Sequence, residues 1–423
     1  MSEALQQRLH DLVRARLAEE TAFLGALVRT PSDNPPGDCA GFAERAAVLL
    51  EGLGFAVERH PVPAAEVRAN GMASATNLVV RHRFGEGPTV ALNAHGDVVP
   101  PGAGWTRDPY GAAVVDGAMY GRGVAVSKSD IATYAFALRA LIDADAALGG
   151  TVELHVTVDE EAGGAIGPQW ILARGISRPD CAIAAGFSYG VVTAHNGCLH
   201  LEVELHGKQA HAALPATGVD ALEAASGVLA ALYRHRRDYA ARRSAVDGIG
   251  TPSLVVGLIH GGINTNVVPD RVVMRLDRRI IPEENAEAAE HEVRAVIDAE
   301  MAAYPRAQCH VRRILLALPL TPLPASAKLV EPLTRHASRI MGTAVKPHGV
   351  PLYTDARHYA AVGIPTVLYG AGPRSIGEAN AHGADERLML DDLAKATEVI
   401  ANALGDLLSG PSKENGDEGD DRG

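Results

Sequence analysis

Cysteine is scarce in this chain. Its 423 residues include four, Cys39, Cys181, Cys198 and Cys309, with no close pair among them. That spacing supports neither a CxxC metal knuckle nor a small disulfide framework, and it suits a reducing compartment. No apolar run approaches the roughly 18–20 residues of a membrane span. The opening MSEALQQRLHDLVRARLAEE is polar and amphipathic and lacks the apolar core of a signal peptide. A cytoplasmic location, away from any membrane, is the expectation. Basic charge is also short: Lys and Arg total 39 against 51 Asp and Glu, a formal net charge of −12. An acidic body with no broad basic face argues against nucleic acid as a partner. The one basic run, YRHRRDYAARR (233–243), reads as a solvated helix face. The stretch 409–423 (SGPSKENGDEGDDRG) has no large apolar residue and reads as a disordered acidic tail.

What is present is an ordinary soluble composition, long enough that more than one hydrophobic core is expected. Residues 3–28 and 41–53 carry apolar side chains at helical spacing, separated by the turn-rich loop TPSDNPPGD (30–38). Strand-like runs then alternate with helical ones: VALN (90–93), a helix over 130–142, and VELHVTV (152–158). This alternation predicts an α/β sheet with crossover helices. From Cys198 the order changes. Strands at 199–205, 253–259, 272–280 and 309–316 and helices at 219–233 and 284–302 give β-α-β-β-α-β, a ferredoxin-like unit complete in itself. The α/β pattern resumes after Pro322, with helices at 327–341 and 390–408 and a strand at 365–369. The expected organisation is an α/β domain (1–197 and 318–408) interrupted by a smaller α+β domain (198–317).

Three segments carry chemistry. In Ala94-His95-Gly96-Asp97 the histidine and aspartate sit two apart on an extended chain and share a face. A carboxylate behind a histidine fixes its tautomer and strengthens it as a metal ligand. Asp159-Glu160-Glu161 ends an apolar strand, where three consecutive carboxylates repel unless a cation or protons compensate. Adjacent glutamates can divide the work, one binding metal and one activating water. The third segment, Ala381-His382-Gly383-Ala384-Asp385-Glu386, lies in the resumed α/β part. With His95 and Glu161 it would complete a nitrogen and oxygen set that zinc or manganese accepts.

Together with GWTRDPYGAAVVDGAMYGRG (104–123), GKQAHAALP (207–215) and GGINTNVVPD (261–270), these segments resemble the M20 metallohydrolases over residues 24–407. That family includes acetylornithine deacetylase, succinyl-diaminopimelate desuccinylase, aminoacylase-1 and glutamate carboxypeptidase. The resemblance implies a metallopeptidase-like α/β catalytic domain whose insert serves as lid and dimerisation domain. It implies hydrolysis of a C–N bond in a small-molecule substrate such as an N-acyl amino acid or peptide-like acid. His95, Glu161 and His382 match metal ligands, and Asp97 matches the carboxylate that supports the first histidine. Glu160 matches the general base that takes the proton of the attacking water and gives it to the leaving amine. In the insert His211 matches a histidine that stabilises the oxyanion, often across a homodimer. Asn266 and Arg279 match positions that hold a substrate carboxylate, with Arg278 a close alternative.

The chain also departs from the family. After Gly121-Arg122-Gly123 the position of the bridging aspartate is Val126, and the other second-site acid falls at Gly186. Two of five expected ligands are therefore missing. A modified site with one divalent metal per subunit (zinc, manganese or cobalt) is expected, with His195 or Asp130 as conceivable stand-ins. Two other readings stay open: a hydrolytic aminohydrolase acting on a non-amide C–N bond, and a non-catalytic binding protein of the same fold.

Overall fold

The structure is a computed structural model and describes residues 1–409; the tail read as disordered lies outside the described residues apart from Ser409. The chain forms two compact units. Of the described residues, one comprises 1–192, 323–347 and 358–409; the other comprises 193–322 and 348–357.

The first unit is built on a mixed sheet. Its strands run in the order Val57–Pro61, Thr76–Arg83, Thr151–Thr157, Thr89–His95, Cys181–Ala184 and Thr366–Leu368. The middle of the sheet is parallel: Thr89–His95 pairs in parallel with Thr151–Thr157 and with Cys181–Ala184, and the latter with Thr366–Leu368. These inner strands are buried almost throughout, as expected of parallel strands covered on both faces. Thr89–His95 is mostly apolar, whereas Thr151–Thr157 alternates and buries Glu153 and His155, which bond to each other at 3.0 Å. Lys128–Asp143 packs on the two central strands and is buried nearly all round, which follows from its lack of a polar face. Around it pack Glu3–Val28 and Leu390–Leu408, and the latter carries Ala327–Met341. Ser2 caps the first helix by accepting from Leu5 N, and Gly342, at φ +69°, ends Ala327–Met341 in the left-handed conformation that glycine tolerates best.

The second unit is a four-stranded antiparallel sheet with two helices. Its strands lie side by side as Ser253–Gly261, Arg271–Ile280, Gly197–His206, Gln308–Ala317. In chain order that is 2-3-1-4, the arrangement of a ferredoxin-like β-α-β-β-α-β unit. Gly197–His206 alternates strictly. Leu199, Leu201, Val203 and Leu205 are buried in the core shared with the helices Ala221–His235 and Ala286–Met301. Cys198, His200, Glu202, Glu204 and His206 belong to the other face, as the two-residue period of a strand requires. Asp220 and Asn285 cap the two helices through their side chains.

The basic run 233–243 departs from its sequence reading. The helix ends at His235 and a 3-10 segment, Arg236–Ala241, follows. Tyr239 is buried under the Arg278 guanidinium, and Arg242 pairs with Glu292 at 2.8 Å. Arg234, Arg236, Arg237 and Arg243 are exposed, so the basic side chains are solvated as read, but beyond His235 the chain follows a 3-10 turn pinned by Tyr239 and Arg242 rather than an α-helix. Among the described residues no helix is long and apolar enough to cross a membrane.

Candidate active site

The first unit's chemistry gathers where two parallel strands end together. His95 pairs with Thr157 at the carboxyl ends of Thr89–His95 and Thr151–Thr157, the edge where ligands bind in open α/β sheets. Gly96 N donates to Thr157 O at 2.8 Å and carries the pairing one step further. Asp97 then arrives beside the turn that follows Thr157. It is fully buried, and its carboxylate accepts the backbone N–H groups of Glu160 (3.2 Å) and Glu161 (3.1 Å) and the Asn34 side-chain amide (3.0 Å). Its Oδ1 also lies 3.3 Å from His95 Nδ1. One carboxylate therefore supports the histidine and fixes the acidic turn. Ser127 Oγ steadies His95 from the other side, accepting from its N–H at 3.0 Å and donating to its carbonyl at 2.9 Å.

The two consecutive glutamates face different histidines. Glu161 Oε1 lies 3.3 Å from His382 Nε2, and Glu160 Oε2 lies 4.0 Å from His95 Nε2. Burial opposes a charge on His95, but the Asp97 hydrogen bond and the carboxylates of Glu160, Asp97 and Glu161 outweigh it and hold its pKa well above the ordinary value. The Glu161 hydrogen bond likewise raises His382. Acidic charge dominates here, and two imidazoles with a carboxylate form a donor set that suits a divalent metal. The three atoms are not drawn into one tight cluster, however. Among the described residues, the trio of His, Cys, Asp or Glu ligand atoms lying within 4.8 Å of one another is Cys198, His200 and Asp277.

His382 stands on a loop, at φ +62° and half exposed, and its neighbours hold that loop. Glu386 is buried with Arg122 in an ion pair of 2.6 Å and also accepts from Ala125 N at 3.0 Å. Arg122 donates to Gly383 O at 3.0 Å. Asp385 accepts from the Thr106 backbone (3.0 Å) and hydroxyl (2.8 Å). The Gly104–Gly123 block thus acts as the anchor of the distant 381–386 loop. Sequence reasoning missed Asn34, Thr106, Arg122 and Ser127. Their partners lie 32 to 279 residues away, and no local spacing announces them.

Neither position of the missing ligands can serve. Val126 packs its side chain against the core, one residue from the Ser127 that grips His95. At Gly186 a Cβ would fall 2.8 Å from Leu368 and from Tyr369 N, so no acid fits this backbone without a shift. Asp130 Oδ1 accepts from Ala371 N at 2.7 Å, and burial pushes its pKa up to about 7. His195 belongs to the second unit, where its Nδ1 faces Asn196 O at 2.9 Å and burial brings its pKa down to about 3. Asp130 Oδ1 and His195 Nδ1 are thus taken up by backbone groups.

In the second unit His211 and Asn266 are exposed and adjacent, Ala212 N donating to Asn266 O at 2.9 Å. His211 Nδ1 accepts from Ala213 N at 3.1 Å. Arg278 and Arg279 point to opposite faces. Arg278 is fully buried, over the Tyr239 ring and bonded to Glu284 at 2.7 Å, a structural group. Arg279 holds both oxygens of Asp277, at 3.0 and 3.1 Å.

Comparison with known proteins agrees with this geometry. Residues 91–406 match the family model described as peptidase family M20/M25/M40. The succinyl-diaminopimelate desuccinylase of Wolinella succinogenes is 30% identical over 404 residues, covering 90% of this chain and 98% of the relative. An M20 family metallo-carboxypeptidase from Sulfolobus solfataricus shares the fold with a TM-score of 0.73 at 18% identity, over 92% of this chain and 98% of that one. A dinuclear metal binding peptidase of the M20 family from Bacillus subtilis does so with a TM-score of 0.62 at 15% identity, over 96% and 99%. The chain belongs to peptidase family M20/M25/M40. It is a metal-dependent hydrolase of C–N bonds.

Proposed function

We propose that this enzyme hydrolyses the amide of an N-acyl amino acid or small peptide-like acid, with one divalent metal held by His95, Glu161 and His382 and with Glu160 as general base. The observation that carries this reading is the division of the glutamates: Asp97 fixes both backbones while Glu161 reaches His382 and Glu160 faces His95. A divalent cation, when bound, polarises the scissile group and makes water more acidic. Glu160 takes the proton of the attacking water and delivers it to the leaving nitrogen. Asp97 keeps His95 in the tautomer whose Nε2 faces the site. Val126, and the absence of space for a side chain at Gly186, support one metal at this centre rather than two.

For the second unit we assign His211 to the developing oxyanion and Asn266 and Arg279 to the substrate carboxylate, in a homodimer. Support comes from the adjacency of His211 and Asn266 and from the placement of Arg279 on the face away from the helices. The free cysteines support a reducing, cytoplasmic setting. The test pairs a panel of N-acyl amino acids, with and without chelator, with elemental analysis. Wild type should hold one equivalent of zinc or manganese more than the His95→Ala/His382→Ala variant, and chelation should abolish turnover. A difference of two equivalents would refute the single-metal centre. Turnover confined to aryl amines would favour the aminohydrolase reading.

A further inference from the structure

On the second unit's sheet, three side chains from two strands meet away from the helices. Cys198 and His200 are two apart on Gly197–His206 and therefore share a face. The antiparallel register sets Asp277 opposite His200 and Arg279 opposite Cys198. Cys198 Sγ lies 3.1 Å from His200 Nε2, His200 Nε2 lies 3.1 Å from Asp277 Oδ2, and Sγ lies 3.7 Å from the same oxygen. Cys198 is buried, whereas the His200 and Asp277 side chains are about one-third exposed, at 34% and 31%.

His200 Nε2 has two partners at the same short distance, Cys198 Sγ and Asp277 Oδ2, so all three potential ligand atoms crowd together. The three atoms outline a compact triangle. Zinc bound at about 2.3 Å to sulfur and about 2.0 Å to nitrogen and oxygen sets tetrahedral edges of roughly 3.3–3.5 Å. The observed 3.1, 3.1 and 3.7 Å bracket those edges. The partial exposure of His200 and Asp277 leaves the fourth position open to water.

We propose that Cys198, His200 and Asp277 form a second metal site, separate from the His95 centre, that takes a thiophilic divalent cation, foremost zinc. Thiolate and imidazole select zinc over magnesium or calcium. On binding, the Cys198 S–H bond gives way to a sulfur–metal bond and the proton leaves to solvent. The charge around the site is mixed. Glu202 is tied to Arg275 and Arg312, and Glu204 to Arg271. Arg279 is the competing cation on Asp277.

Cobalt(II) reports this site selectively, because the His95 centre contains no sulfur. Titrating the full-length His95→Ala/His382→Ala chain with cobalt should produce a thiolate-to-cobalt charge-transfer band in the near ultraviolet. The band should saturate at one equivalent and be displaced by zinc. It should vanish in Cys198→Ser and persist in Cys309→Ser. If Cys198→Ser fails to fold, His200→Ala serves in its place, with at least a tenfold weaker zinc affinity expected. A wild-type chain without the band, or a band that survives Cys198→Ser, overturns the proposal. Neither result depends on hydrolytic activity, so the two metal assignments stand or fall separately.

Discussion

Glu160 and Glu161 are chemically identical neighbours, and what separates them is where the backbone points each one. Asp97 accepts both N–H groups, so the side chains diverge, one towards His95 and one towards His382. Replacing the Glu160 carboxylate by its amide leaves those backbone bonds intact. Glu160→Gln should therefore keep its fold and metal while turnover falls by about two orders of magnitude or more, the size expected for a lost acid/base group. Steady-state kinetics with elemental analysis checks this, and near-normal turnover would remove Glu160 from the role.

At the scale of elements, the packing of Glu3–Val28 on Leu390–Leu408 buries a carboxyl group. Glu20 is fully buried and accepts from Thr397 Oγ1 at 2.6 Å, while its other oxygen has no partner. Burial pushes its pKa up to about 8 from 4.5. Between those values the native state keeps a proton that the unfolded chain releases, so stability must fall as pH rises across that window. The slope is at most about 1.4 kcal/mol per pH unit for one proton. Glu20→Gln removes it, and denaturant unfolding at pH 5 and pH 8 should show the variant gaining about 1–3 kcal/mol on wild type at the higher pH. An unchanged pH dependence would show that water or a shifted helix already relieves the buried carboxyl.

For the whole molecule, the edge strand Ser253–Gly261 exposes Val255 (53%), Leu258 (42%) and Ile259 (48%). An apolar, unpaired sheet edge invites pairing with another copy, and twofold dimers are the commonest oligomer. Sedimentation at micromolar concentration should give a homodimer that Val255→Lys/Ile259→Glu dissociates. A fully active monomer would deprive His211 of a role in a neighbouring subunit.

The sequence alone determined what depends on short-range periodicity and on ordered motifs. The period-two patterns of 199–205 and 152–158 specify strands, as does the short apolar run at 90–93; that 152–158 is buried on both faces was decided by the folded sheet. His95, Asp97 and the Asp159-Glu160-Glu161 turn were legible because each follows such a strand. Tertiary structure alone decided the rest, since side chains far apart in sequence meet only when strands pair and loops dock. It set Asp97 under both glutamates and closed the space at Gly186. It anchored His382 through Arg122 and Thr106. It also brought Asp277 across from Cys198 and His200, because register between strands is a property of the folded sheet.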